Sequence, residues 1–236
     1  MDVNAEKMKT LVVLSGAGMS AESGIKTFRD MGGIWEQYDV TEVASPEGWA
    51  KHPDVVLEFY NQRRKQLFES SPNKGHYLLA GLEKDFKVKI ITQNVDDLHE
   101  RAGSTNVLHL HGELKKARST VDPNLVYELD HWELKLGDKC EKGSQLRPHV
   151  VWFGESVPAI SEAEKIVETA DIFVVIGTSL NVYPAAGLLW NVPENVPVYL
   201  IDPGDLNIRG GINVKHIKKK ASEGIEELKS LLKNEN

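Results

Sequence analysis

Leu11-Val12-Val13-Leu14-Ser15-Gly16-Ala17-Gly18-Met19-Ser20-Ala21-Glu22-Ser23-Gly24-Ile25 is the stretch whose reading decides the fold. An apolar β-type run feeds directly into a turn where Gly16 and Gly18 permit tight turning and close backbone approach. Ala21 fills the third place of a G-x-G-x-x-G/A pattern, and a helix starting here offers free N–H groups and a positive dipole end to a phosphate. Two readings stand at this point: an ordinary strand-to-helix turn, or a dinucleotide-binding turn. The second strand with a terminal acid, which a simple dehydrogenase pattern places about 20 residues on, is missing. In its place stands Thr27-Phe28-Arg29-Asp30-Met31-Gly32-Gly33-Ile34-Trp35, with adjacent glycines and no clean period, which reads as a loop over a bound dinucleotide. Arg29 can neutralise a phosphate there and Phe28 can screen a reacting centre from water; the plainer fates are a surface arginine and a core phenylalanine.

Working outward, strand-length apolar runs recur at 10–15, 88–92, 107–110, 172–176, 198–201 and, more weakly, 214–217. Their few polar interruptions suit strands buried on both faces. Helical patterns alternate with them at 53–69, 73–84, 95–102, 161–169, 185–190 and 222–233. Such alternation predicts an α/β fold, a doubly wound parallel-sheet Rossmann-like domain. Two segments break the rhythm without offering a buried strand. The expected division is therefore 1–28, 73–112 and 149–236 for the dinucleotide-binding domain, with 29–72 and 113–148 as a small inserted lobe.

With 236 residues the chain can bury a substantial core without metal or disulfide staples. A formal charge of −7 argues against nucleic acid or an anionic membrane as the main partner, and Lys218-Lys219-Lys220 is too short to reverse that. Cys140 is the single cysteine, so no CxxC pair exists. The N-terminal residues lack a signal-peptide apolar region and no run approaches membrane-spanning length. A soluble, cytoplasmic protein is expected, and a monomer is compatible with these features.

Polar residues gather at the carboxyl ends of the strands, where open α/β sheets bind ligands. Gln93, Asn94 and Asp96 follow the 88–92 run and can serve a polar heterocycle and a ribose, or Asn94 to Asp97 can be a helix cap with first-turn acids. His109 and His111 share a face by period 2, and His111, beside Gly112, stands where a base can reach the crevice; a structural strand-end histidine is the alternative. Without a third ligand the two histidines do not make a zinc site. Gly177, Thr178 and Ser179 close one strand and Asp202 another; they can bind phosphate or ribose, or be caps and turns.

Taken in order, these motifs resemble the sirtuin family of NAD-dependent protein-lysine deacylases. The matching residues are Gly16 to Ile25 with Thr27-Phe28-Arg29, Gln93 to Asp96, Leu110-His111-Gly112, Arg147 to Glu155 and Gly177 to Ala186, spanning nearly the whole chain. The resemblance implies that Gly16, Ala17, Gly18, Glu22, Thr27, Phe28 and Arg29 form the pyrophosphate turn and cofactor loop. Gln93, Asn94 and Asp96 would hold the nicotinamide and its ribose, with Asn94 and His111 catalytic and His111 the general base. Gly177, Thr178, Ser179, Asp202 and Ala221 would line the adenosine side. Val150, Phe153, Gly154 and Glu155 in one loop, and Val182 and Tyr183 in another, would hold the acyl-lysine peptide as an added strand. The implied products are nicotinamide and 2′-O-acyl-ADP-ribose.

The chain departs from that family in lacking the two CxxC pairs of a structural zinc site, so no metal is expected and packing of Leu125, Tyr127, Leu129, Trp132, Leu134 and Leu136 must hold the lobe. Lys26 stands where the family usually has proline, and Asp202 where asparagine is common. Tyr60 and Arg63, at i and i+3 on one helix face, can meet one ligand or simply be a solvated face. Tyr-x-x-Arg here resembles the sirtuin branch that removes succinyl, malonyl or glutaryl groups, and Ala44 matches its small residue beside a longer acyl chain. Arg64, turned about 100° away on the helix, is expected to matter little to that preference. Plain deacetylation or ADP-ribosyl transfer on the same site, and a non-catalytic NAD sensor, are the rival readings; a sensor has no use for His111.

Overall fold

The structure is a computed structural model that describes residues 8–25, 38–205 and 213–234. Its main sheet has six strands, β1 (Thr10–Ser15), β2 (Lys87–Thr92), β3 (Val107–His109), β7 (Ile172–Ile176), β8 (Val198–Ile201) and β9 (Val214–Ile217), in the order β3-β2-β1-β7-β8-β9. Every pairing in it is parallel. The apolar run of β1 is buried along both faces by period 2. Leu11 and Val13 face α4 (Lys74–Gly81) and α7 (Ala221–Asn234), while Val12 and Leu14 face α6 (Ile160–Val167) and a 3-10 segment, Ala185–Asn191.

β1 pairs with β2 on one side and β7 on the other, so the chain winds away from it in both directions. That is a switch point, where crossovers leave a crevice beyond the strand ends. The turns after β1 and β7 meet across it: Gly18 N–H donates to Gly177 O at 2.8 Å.

A second sheet of three strands, in the order β5-β4-β6, consists of β4 (Gly112–Ser119), β5 (Val126–Glu128) and β6 (Leu146–Val150), paired antiparallel. This corrects the expectation that 113–148 holds no buried strand. Leu114, Ala117 and Ser119 are buried, but the register shifts between Gly112 and Ala117, and that irregularity breaks the alternation that would have announced a strand.

Helices fill the other inserted segment: α1 (Val40–Val43), α2 (Pro46–Lys51) and α3 (Pro53–Glu69). Asp39 caps α1 by accepting Thr41 N–H, Ser45 caps α2 by accepting Gly48 N–H, and Pro46 and Pro53 occupy first turns where a missing N–H costs nothing. Off the cavity that Arg63 lines, α3 carries Arg64 into the interior. Its guanidinium donates to the carbonyls of Leu114 and Trp132 and to Asn61 Oδ1, tying the helix to the second sheet. Leu57, Ala117, Leu134, Cys140 and Leu146 form that lobe's core, with Leu125, Tyr127 and Leu129 packed against it. Trp132 and Leu136, expected inside, are 39% and 55% exposed. Elsewhere α5 is only Leu98–Arg101, and 185–191 is 3-10 where an α-helical pattern was expected. Among the described residues, no helix is long and apolar enough to cross a membrane.

Candidate functional site

A cavity of about 710 Å³ opens at the carboxyl ends of β1, β2 and β7 and extends to the second lobe. Its floor is Gly16-Ala17-Gly18 against Gly177 and Thr178. A Cβ on Gly16 would lie 2.6 Å from Thr178 Cβ, and one on Gly18 would lie 2.7 Å from Gly177 Cα, so only glycine lets the two turns close. The expected helix after this turn is absent. Two single 3-10 turns, Ala17–Met19 and Ala21–Ser23, take its place, and the N–H groups of Met19 and Ser20 are consumed inside them. The floor thus offers bare backbone and not a helix dipole.

Beyond β2 the chain turns sharply through Gln93, Asn94 and Asp96, all on the cavity wall. Gln93 donates Nε2–H to Thr178 Oγ1 at 3.0 Å. Asn94 donates Nδ2–H to Ser20 Oγ at 3.1 Å, and Ser20 in turn donates to Asp96 Oδ2 at 2.9 Å. Burial pushes the Asp96 carboxyl above its ordinary value, against the opposing bonds from Ser20 and Leu98 N–H and the charge of His109. Ser20 links the two, and sequence reasoning missed it. The available signal was a hydroxyl inside an otherwise bare glycine turn.

His111 lines the same cavity, with Nδ1 3.1 Å from Gln93 O. A carbonyl only accepts, so Nδ1 carries the proton and Nε2 the lone pair. Burial pushes its pKa below the ordinary imidazole value, outweighing the Gln93 bond, and the ring is neutral at pH 7.

At the second-lobe end stand Ala44, Tyr60, Arg63, Val150 and Trp152. Tyr60 is buried, which pushes its phenol pKa up and keeps it neutral; Arg63, half-buried, holds its guanidinium carbon 5.6 Å from the Tyr60 ring centroid. Trp152 packs 6.5 Å from Tyr60, under the Arg147 guanidinium at 3.3 Å. Glu155 also lines the cavity, but its carboxylate is committed to Arg147, Arg118 and Trp152 N–H, which makes it a brace for the loop. Phe153, Val182 and Tyr183 stand exposed at the mouth with Gly154, while Ser179 and Asp202 line the opposite end. Asp202 Oδ1 already accepts Gly204 N–H.

Two expected cofactor residues are placed off this wall. Glu22 accepts the Ser222 N–H at the start of α7, 2.9 Å away, and Ala221 packs into the sheet core beside it. Thr27, Phe28 and Arg29 lie outside the described residues, as does Lys26. Among the described residues, no group of three potential metal ligands occurs.

A bare glycine turn at a switch point, with amide, acid and neutral imidazole converging on it, defines an α/β protein built to hold a dinucleotide. The Sir2 family model matches residues 16–184. An NAD-dependent protein deacylase of Bacteroides thetaiotaomicron is 60% identical over 230 residues, covering 95% of this chain and 98% of its own. One from Helicobacter pylori is 57% identical over 223 residues, covering 94% of each. A Sir2 homologue solved as a complex with NAD superposes with a TM-score of 0.86 at 42% identity, covering 97% of this chain and 91% of that one. The chain belongs to the Sir2 family, the sirtuins.

Proposed function

We propose that this chain uses NAD to remove acyl groups from protein lysines, releasing nicotinamide and 2′-O-acyl-ADP-ribose, and that it prefers succinyl and malonyl over acetyl. The observation that carries the acyl preference is that Tyr60 and Arg63 line the same cavity as His111. The floor suits NAD because three glycines leave backbone alone where a pyrophosphate must lie close. Gly16, Ala17 and Gly18 would hold that pyrophosphate, Gln93, Asn94 and Asp96 the nicotinamide riboside, and Gly177, Thr178, Ser179 and Asp202 the adenosine. When bound, NAD supplies a ribose carbon that takes the acyl oxygen as nicotinamide leaves. Ser20 and Asn94 hold Asp96 in place, and His111 Nε2 is the atom that receives a ribose hydroxyl proton. Val150 to Glu155 and Val182-Tyr183 offer peptide backbone two edges, so recognition tolerates varied sequence. Packing holds the small lobe in place of zinc.

A guanidinium fork and a neutral phenol suit a terminal carboxylate, which only the longer acyl groups carry. A largely desolvated charge-assisted bond contributes about 1.5–3 kcal/mol, or roughly 10- to 100-fold in kcat/KM. The test is the succinyl-to-acetyl ratio on one peptide sequence, in wild type and Arg63→Met. The variant should lose the preference while keeping acetyl turnover. An acetyl preference in wild type, or an unchanged ratio in the variant, would refute the acidic-acyl reading.

A further inference from the structure

Two histidines flanking Leu110 grip consecutive carbonyls of the 93–96 loop. His111 Nδ1 lies 3.1 Å from Gln93 O, and His109 Nδ1 lies 3.0 Å from Asn94 O. Both oxygens only accept, so both Nδ1 atoms carry a proton. The rings differ at the other nitrogen. His109 Nε2 lies 2.7 Å from Glu100 Oε1, another pure acceptor, so this ring is protonated twice and carries a positive charge. Its side chain is 7% exposed, with Glu100 as the solvent-side partner.

We propose that His109, held by Glu100, is a positioning residue for the loop: its Nδ1–H fixes the Asn94 carbonyl and thereby aims Asn94 and Asp96 at the bound NAD. This rests on the assignment of that loop to NAD in the preceding subsection. Asn94 is held from three directions. Its N–H donates to Thr92 Oγ1 at 3.0 Å, its amide donates to Ser20, and its carbonyl is held by His109. Asp96 depends on the same alignment, since Ser20 bonds both side chains. Burial alone would push the His109 pKa down, but the bond and charge of Glu100, with the Asn94 carbonyl, more than reverse this. Its charge also favours an ionised Asp96.

Side-chain length separates the two bonds of His109. In His109→Asn the amide nitrogen stands where Nδ1 stood and keeps the Asn94 bond; in His109→Gln it reaches the Nε2 position and keeps only Glu100. Calorimetric titration of the ligand-free protein with NAD should show Gln weakening binding about 3- to 10-fold, the range of one lost hydrogen bond. Asn should remain within about twofold of wild type on the same argument. KM for NAD should follow those constants while KM for the acyl peptide stays unchanged. Nitrogen-15 NMR of the imidazoles at pH 7 should find His109 doubly protonated and His111 singly protonated in wild type. The proposal is overturned if Gln binds NAD like wild type, if Asn and Gln are impaired alike, or if His109 is neutral. Wild type that binds no NAD would remove the NAD reading of the loop, and this inference with it.

Discussion

His76 allows the pH dependence of stability to be worked from a single side chain. It sits in the first turn of α4, where Nδ1 accepts Asn73 N–H at 3.2 Å and closes a capping box with the Asn73 side chain. The ring is wholly buried and meets His99 edge to face, with centroids 4.9 Å apart. Burial pushes its pKa from 6.5 down to about 4. The folded value lies below the unfolded one, so the contribution of neutral His76 is full above pH 6.5 and is lost as pH falls from there toward 4. Between pH 7 and pH 5 the unfolded chain takes up a proton that the native state refuses, which amounts to about 1.8 kcal/mol by linkage. A folded value as high as about 5 would still leave roughly 1.5 kcal/mol. Glutamine is the natural replacement, because its carbonyl oxygen can accept the same Asn73 N–H and it does not titrate. Urea denaturation of wild type and His76→Gln at both pH values gives a double difference in which other titrating groups cancel. Wild type should lose about 1.8 kcal/mol more than the variant on acidification. Losses equal to within about 0.5 kcal/mol would refute the reasoning, since linkage then finds no depressed imidazole at this site.

His111→Tyr should lower deacylation by at least about 100-fold, the lower range for a general base, yet still bind NAD, weakened by no more than the roughly 3- to 10-fold of one lost hydrogen bond to the Gln93 carbonyl, because the glycine turn is untouched. Turnover within threefold of wild type would contradict the assigned base. Chelator should leave the melting temperature unchanged and elemental analysis should find less than one zinc per chain, because Cys140 stands alone. One zinc per chain after dialysis would mean that histidines and acids build a site unlike the four-thiolate kind.

The large sheet was legible because strands covered on both faces must be continuously apolar, and 11–14, 172–176 and 198–201 are. The small sheet was not. β4 is half-exposed, holds Lys115 and Lys116 on the way, and shifts register within its length; β6 contains Arg147 and Pro148, yet Arg147 is buried because Glu155 answers its charge. In the site, residues at strand ends were readable because their place follows from the sheet. Glu22 was not, since its partner Ser222 lies 200 residues away. The 100° turn separates Arg63 from Arg64 in the structure, with Arg63 on the cavity and Arg64 buried, a destination that the turn alone does not fix. α3 is covered on more than one side, so turning away from the cavity means turning into the protein.

On the proposed assignment, the residues for acyl recognition and those for chemistry sit on separate elements. Tyr60 and Arg63 ride on α3 in the inserted lobe, whereas Gln93, Asn94 and Asp96 hang from β2 of the main sheet. His111 is the seam. Its Nδ1–H reaches Gln93 on the sheet side, and its carbonyl accepts Val151 N–H at 2.9 Å on the lobe side. Gly112, next in the chain, has φ of +80° and lies so close to β6 that a Cβ would come 2.1 Å from His149 O. Only glycine lets the backbone pass there. His111 is therefore located by both halves at once, through the Gln93 carbonyl and the Val151 N–H. On the proposed assignment the acyl end and the reacting centre rest on different elements, and His111 is the residue that joins them.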